Sequence, residues 1–520
     1  MKGMAVLFQG MLVLGVSICS AAAAAVLPDS ALTRALGQIV GQPLRLEAAI
    51  EVALARSGEV QTARAQLQAA RGTVLRERGI FDPDLFAEFK RSSGNEPTAS
   101  PFAGAQVLEL DEISAQTGLR LRLPIGTELE ASVGALRQES NSRYAALEPQ
   151  HTTRASMRFR QPLLEGFGSV ERRDLQVSER RLDAAQSRYG NAVLSVREQV
   201  ERRYWNLYAA QRDLAVQMLV GNQAEVLLQA AQLRAEAGLV GPGQVANAQV
   251  FLAAQRLALL DREEELDQLS DELAAFIDQR PDGVLRFSPV DDPPHNFALA
   301  ALGQVVADAL AENGLLRAVR AESEVFKVLA SAAQRAFAPS IDLLGAVGGN
   351  GLAGTAREVV FGSDTLQTAI GGGYGDALKQ ALKRDFPSWE VGVSLSLPLG
   401  NREARGELRR LQSELEGAEQ GAAAAARNLE AQVRREYRIL QNGTRRLLLA
   451  RQGVVAAEAQ VRIGLVEFHN GQTSAFEVVR LGTDLATAQR GYSRALVHTA
   501  KAAAMLRYLT SGRHPAVSGS

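Results

Sequence analysis

Hydrophobic positions along this chain follow two periods. In the stretch 402–468, Val433, Leu440, Leu447, Val454, Val461 and Phe468 recur every seven residues, with no proline and few glycines. The stretch 168–235 is built the same way. A heptad sustained that long predicts a coiled-coil-like helix. At 1.5 Å rise, some 67 residues span roughly 100 Å, far more than a compact domain needs. Each long helix meets a turn, at 238–243 or 470–474, and a shorter helix returns over 244–278 or 475–509. Ahead of each long helix lies another helical stretch, 44–80 with its apolar face at Leu46, Ile50 and Leu54, or 302–337. Both end at a Phe-x-Pro signal, Pro83 or Pro339, where helical hydrogen bonding stops.

The second period is two. Trp389, Val391, Val393, Leu395 and Leu397 share one side, and Glu390, Gly392, Ser394 and Ser396 the other. Ala155, Met157 and Phe159 alternate with Ser156, Arg158 and Arg160, and 85–89 and 341–347 carry weaker versions. An apolar face backed by a small or charged one suits a barrel wall between lipid and water. It also suits a sandwich strand with one face in a core, and alternation alone does not choose. Leu119, Leu121 and Leu123, the turn Pro124-Ile125-Gly126, then Leu129, Ala131 and Val133 predict an extra β-hairpin, expected among the external loops with the Gly-rich stretch 348–388.

The pattern is duplicated. Val200, Tyr204, Leu207, Leu214 and Gly238 each find a like residue 233 positions later, at Val433, Tyr437, Leu440, Leu447 and Gly471. An earlier block repeats at offset 256: Gly58, Arg64, Ala65, Phe81 and Pro83 match Gly314, Arg320, Ala321, Phe337 and Pro339. The first copy therefore holds about 23 extra residues between its blocks. The domains expected are a first repeat at 44–278, a proline-rich linker at 279–301, a second repeat at 302–510 and a flexible tail at 511–520, with a linker at 26–43 ahead of them. Lengths then suggest an architecture. The return helix covers half of the long one, and the helix before the strands covers the rest, which gives four helical columns topped by about four strands. Four strands cannot close a wall without edges, so several copies must share one.

Composition narrows the class. Among 520 residues, 57 Lys+Arg nearly balance 58 Asp+Glu, which argues against a nucleic-acid partner found by bulk charge. The one Cys, Cys19, precludes an internal disulfide. Lys2 is the only charge before Asp29, 11–18 is apolar, and 21–25 is all Ala, so 1–25 is expected to be a cleaved signal peptide. The rest of the chain has no uncharged apolar run of 18 residues. An exported chain of this kind is periplasmic, secreted or an outer-membrane barrel.

The whole resembles an outer-membrane efflux duct of the TolC family over about residues 44–510. The resemblance rests on the duplication, on Gln161-Pro162-Leu163-Leu164 and Leu397-Pro398-Leu399-Gly400 opening the long helices, and on Arg203-Tyr204-Trp205. The turns Ala237-Gly238-Leu239-Val240 and Asn470-Gly471-Gln472-Thr473 complete it. The family implies a mainly α fold with a transmembrane β portion. In it a homotrimer shares a twelve-stranded outer-membrane barrel that continues into a periplasmic α-helical barrel. It implies as partners a periplasmic adaptor protein, an inner-membrane transporter of the RND or ABC type, and outer-membrane lipid. No catalytic residue and no cofactor is implied. Pro83, Pro162, Pro339 and Pro398 mark the helix–strand junctions. By the resemblance, Gly238, Leu239, Val240, Gly471, Gln472 and Thr473 are the adaptor-docking tips. Gln244, Asn247, Glu477 and Arg480 occupy the pore constriction, where Gln244 replaces a gating Asp and Glu477 aligns with an acid of the iris. Arg480 stands where a second acid is expected, which leaves the acidic constriction incomplete. Glu477 and Arg480 are three apart on one helix face, at pairing distance.

Other motifs carry less. Gly349-Asn350-Gly351-Leu352-Ala353-Gly354 spells a dinucleotide fingerprint but lacks the helix and the acid-bearing second strand that the site needs, so its glycines are expected to serve loop flexibility. The five His are scattered without i, i+4 spacing, so zinc chemistry is unsupported. The competing reading, a periplasmic adaptor, normally has one helical hairpin where this chain has two. An exported enzyme would need a compact catalytic domain for which no stretch is left.

Overall fold

The computed structural model describes residues 30–164, 172–283, 286–335, 339–361, 364–397, 399–470 and 472–517. The expected signal peptide 1–25, with Cys19, and also Pro398 and Gly471 lie outside the described residues.

The first half of the chain runs α1 (Ser30–Gln38), β1 (Gln42–Leu44), α2 (Leu46–Arg56), α3 (Gly58–Gly79), β2 (Asp84–Pro97), β3 (Val107–Arg122), β4 (Glu128–Ser140), β5 (Leu147–Pro162), α4 (Arg173–Glu236) and α5 (Pro242–Ile277). The second runs β6 (Phe287–Pro289), β7 (Phe297–Ala298), α6 (Leu302–Glu312), α7 (Gly314–Arg335), β8 (Ser340–Ala356), β9 (Val359–Phe361), β10 (Asp364–Leu366), α8 (Tyr374–Lys383), β11 (Phe386–Ser396), α9 (Arg402–His469), α10 (Ala475–Leu509) and β12 (Ala516–Val517). The helices α4 and α9, of 64 and 68 residues, are the heptad stretches, and α5 and α10 are the returns.

Each leading helix, expected as one piece, is broken at an equivalent place. Ser57 separates α2 from α3 and Asn313 separates α6 from α7. The Asn313 Oδ1 accepts from the Leu316 amide at 3.0 Å, and Ser57 Oγ from the Val60 amide at 3.5 Å. Both act as N-caps for the helix that follows. The apolar period passes through these positions unbroken, which is why it hides the break.

The chain packs as two compact units. Among the described residues, one is made of those within Met1–Val52, Val200–Asn296 and Gln441–Lys501, and the other of those within Ala53–Gln199, Phe297–Leu440 and Ala502–Ser520. In the first, Tyr204 and Trp205 of α4 are buried. The Tyr204 hydroxyl lies 2.9 Å from the Leu44 carbonyl and from Asp291 Oδ2, and the Val290 and Asp291 amides donate to it at 3.1 Å. Four partners around one buried hydroxyl clasp the β1–β6 pair, which is parallel in register Gln42↔Phe287, to the long helix. The stretch 26–43, expected as a linker, holds α1 instead: Leu32 and Ala35 are buried against Ala215, Val216, Val220 and Ala486. Its apolar residues Leu32, Ala35, Leu36 and Ile39 fall on one helical stripe.

In the second unit, Val433 and Leu440 of α9 meet Val305, Ala309 and Leu316 of α6 and α7 and Leu506 of α10 in one core. The Tyr437 hydroxyl donates to the Ala300 carbonyl at 3.1 Å. Tyr437 is the repeat of Tyr204, and Ala300 is the repeat of Leu44, so the duplicated tyrosine makes the duplicated bond. Residues 511–517, expected to be flexible, are tied down. His514 Nε2 sits 2.8 Å from Asp308 Oδ2, Ser511 Oγ donates to Glu312 O at 2.8 Å, and β12 pairs antiparallel with β7.

The same unit holds an antiparallel sheet in the order β11-β8-β5-β4-β3-β2. It has six strands rather than about four. The predicted hairpin exists as β3–β4 and is part of the sheet: it pairs with β2 on one side and β5 on the other. The stretch 348–388 is also more ordered than expected of a loop. β8 runs on to Ala356, and α8 packs over it with Ala377 and Ala381 buried. Gly349 and Gly351 make that packing possible. A Cβ at Gly351 would stand 1.8 Å from the Ala377 carbonyl oxygen, and one at Gly349 2.2 Å from that of Ala381. The apparent fingerprint is thus a notch in a strand for a helix, not a flexible loop.

Candidate functional site

The two turns between long and returning helices are built alike. At the first, Gly238 takes φ +71°, its amide donates to the Ala235 carbonyl at 3.0 Å, and the Leu239 amide reaches the Arg234 carbonyl at 2.9 Å. This is the Schellman closure, in which a left-handed glycine satisfies the last helical carbonyls. At the second turn the Gln472 amide donates to the Glu467 carbonyl at 2.8 Å, the same bond 233 residues later. Leu239 is 74% exposed, Val240 half-buried, Gln472 exposed and Thr473 half-buried.

Behind the turns the returning helices start differently. α5 begins after Gly241 with Pro242 in its first turn and no side-chain cap. At α10, Ser474 Oγ accepts from the Glu477 amide at 3.3 Å. Gln244 and Asn247 are exposed one turn apart on α5, and Glu477 and Arg480 hold the equivalent positions on α10. Glu477 and Arg480 form the expected pair, with both guanidinium Nε and Nη2 on the carboxylate. The Arg480 hydrogen bond holds the Glu477 carboxyl below its ordinary range, and Glu477 in turn raises Arg480. The two ends belong to one cluster: Val479 of α10 is buried with Leu227 and Ala231 of α4 and Ala248 of α5. The side-chain amide of Gln223 on α4 lies over Gly482, its Oε1 2.1 Å from where a Cβ would stand.

At the other candidate position, Pro83 and Pro339 directly precede β2 and β8, and Pro162 closes β5 and is buried. Proline at a strand start costs no ladder bond. The sheet that they frame has two distinct faces. Register places Leu85, Leu119, Ala131, Met157 and Val347 in one row across five strands. Val347 is paired in turn with Trp389. Leu85, Phe89, Trp389, Val391, Val393 and Leu395 are each more than 60% exposed in the single chain. The opposite face carries charge that the sequence reading did not assemble. Arg120 meets Glu130 at 3.1 Å, Arg122 meets Glu128 at 2.9 Å, and Arg160 meets Asp342 at 2.8 Å. Base and acid alternate from strand to strand, around a cavity of about 680 Å³. Glu128 and Glu130 interleaved with Leu129 and Ala131 were the available signal; which basic strand lay beside them was not.

Among the described residues no helix is long and apolar enough to cross a membrane, and no group of side chains is arranged to hold a metal. No protein-family model matches the sequence, and no curated protein matches it. Solved structures do. The outer-membrane channel OprN aligns with a TM-score of 0.61 and 16% identity over 90% of both chains. The outer membrane protein VceC of Vibrio cholerae aligns at 0.60 and 17%, over 90% of this chain and 96% of that one. The MtrE outer membrane channel of Neisseria gonorrhoeae, in its open state, aligns at 0.59 and 17%, over 90% and 89%. The duplicated hairpins and two-faced sheet therefore have the fold of outer-membrane channels. It is the fold that the resemblance to the TolC family implied.

Proposed function

We propose that this chain is the outer-membrane exit duct of a tripartite efflux pump or a type I secretion system. It conducts substrates passively from an adaptor and an inner-membrane transporter to the outside. The observation that carries the reading is a sheet apolar on one face and charged on the other, on helices folded as in known outer-membrane channels. A wall of this kind puts lipid against Leu85, Trp389 and Val393 and water against the ion pairs. The protein is exported by a cleaved signal peptide and assembles as a homotrimer, because one sheet leaves two open edges in the membrane. Gly238, Leu239, Val240, Gly471, Gln472 and Thr473 dock the adaptor. Gln244, Asn247, Glu477 and Arg480 line the narrow end. The four junction prolines separate wall from tunnel. Catalysis has no part in this; the partner pump supplies the energy.

The test is the native mass of the detergent-extracted outer-membrane protein, followed by conductance in a planar bilayer. A trimer with a defined single-channel current supports the duct. A monomer recovered from the periplasm without detergent sinks it, and the adaptor reading then leads.

A further inference from the structure

The hairpin β3–β4 changes how many strands each copy contributes. We propose that it lies in the membrane wall, so that three copies close an eighteen-stranded barrel, with β11 of one copy paired to β2 of the next. The proposal rests on the trimeric-duct reading and replaces its twelve-stranded wall.

Three observations carry it. First, the hairpin is paired along its length on both sides: fourteen residues of β2 with β3, and eleven of β5 with β4. Its turn is tied to the last residues of β5, where Gln161 bonds Thr127. A hairpin folded away as a loop would leave β2 and β5 as neighbours; here they are separated by two strands. Second, both of its faces continue those of the flanking strands. Leu119 of β3 lies in the row of Leu85, Leu121 of β3 and Leu129 of β4 lie in the row of Phe159, and Val133 of β4 stands in the row of Thr117 and Ala155. On the other side Arg120, Arg122, Glu128 and Glu130 pair with one another, and Glu128 and Glu130 also approach Arg160 and Arg158. Charge on the aqueous side and hydrocarbon on the other is the pattern a wall segment needs. The hairpin strands hold 16 and 13 residues, and about 9–11 suffice to cross a bilayer.

Third, the count closes. Neighbours in the sheet are antiparallel throughout, so the outer strands β2 and β11 run in opposite directions. Among the described residues each of them has a single strand neighbour. Any even number of strands per copy lets β11 meet the next β2 antiparallel, and six does so as well as four. At about 4.8 Å per strand and a tilt of about 40°, eighteen strands give a backbone diameter of about 36 Å, against about 24 Å for twelve. The wall end then admits bulky hydrated solutes, and selection by size falls to the helical end.

Site-directed spin labels in the native trimer test the hairpin. With Cys19→Ser as background, Leu119→Cys and Val133→Cys are expected to favour dissolved oxygen over a water-soluble nickel chelate, as the wall control Val393→Cys does. Ser114→Cys and Gln116→Cys should show the reverse. Aqueous access on both faces, or access on neither, would place the hairpin outside the wall and overturn the proposal. Where a variant fails to assemble, Leu121→Cys or Ala131→Cys reads the same face. Closure is tested by oxidising Leu85→Cys paired with Val391→Cys, Val393→Cys or Leu395→Cys. One register should yield a covalent ladder ending at the trimer, and none in any register overturns the shared wall. A trimer with Val393→Cys in lipid but an aqueous hairpin refutes eighteen strands alone. A monomer, or Val393→Cys in water, refutes the duct itself.

Discussion

On the proposed reading, Arg480 is the residue at which this chain departs most plainly from an acid-lined constriction. Its guanidinium occupies the Glu477 carboxylate, so one turn of helix carries no net charge there. Replacing Arg480→Asp puts two acids per copy in its place, and cation-over-anion permeability in planar bilayers should rise several-fold, with block by divalent cations. An unchanged reversal potential would put the pair away from the pore. Asp213 offers a second test. It is buried on α4 against Arg494 at 3.3 Å, and burial raises its pKa above the ordinary carboxylate range. A raised folded-state value means that the folded form holds the proton more tightly. Its stabilising contribution is therefore complete below the unfolded pKa and fades as pH rises through the folded one. The Asp213→Asn variant should lose that part of the pH dependence, measured as thermal unfolding in detergent from acid to neutral pH. A variant curve parallel to the parent would refute it. The turn glycine is plainer: Gly238→Ala forces a side chain to φ +71°, which costs about 1–2 kcal/mol. That glycine was legible from sequence because only its backbone chemistry fits the end of a long helix. The ion pairs on the sheet were not, since opposite charges on separate strands say nothing of which strands are neighbours.

At the scale of elements, the pattern of the chain specifies its helices more fully than the partners they pack against. The long helices and their returns follow from heptads and from turns that repeat at offset 233, which are local signals. The breaks at Ser57 and Asn313 were missed because a capped kink keeps the apolar stripe in phase. α1 lies in the stretch expected as a linker: Leu32, Ala35, Leu36 and Ile39 spell a stripe there, but nine residues are too few to stand out. The hairpin was visible in its alternation and turn, but alternation reports two faces and not the neighbours of an edge. α8 was hidden by the glycines around it, whose purpose only its presence explains. Gly351→Val should therefore expel α8 from its notch and open 357–385 to protease in intact cells. Gly392→Ala, where an added Cβ meets nothing within 4 Å, should leave digestion unchanged. Equal digestion of both would mean that the notch does not hold the helix.

For the whole molecule, the duplication is the feature that most constrains function. Tyr204 on Leu44 and Tyr437 on Ala300 are one clasp made twice. Removing the first, with its four partners, should cost more than removing the second. Tyr204→Phe removes the acceptor of the Asp291 amide, a loss of about 1–3 kcal/mol, while the Val290 amide keeps the Leu44 carbonyl at 3.2 Å; Tyr437→Phe loses one donor. Thermal dissociation of the purified oligomer on semi-native gels should fall further for the first than for the second, and the reverse order would refute the greater weight of the first clasp.

The strands divide unequally between the halves: β2 to β5 come from the first, β8 and β11 from the second. An insertion older than the doubling would have been copied with it, and the hairpin stands in one half only. The economical history is therefore doubling first and widening afterwards. A cylinder of antiparallel staves accepts another pair at any seam without reversing a single neighbour. Growth by pairs leaves the helices as they were.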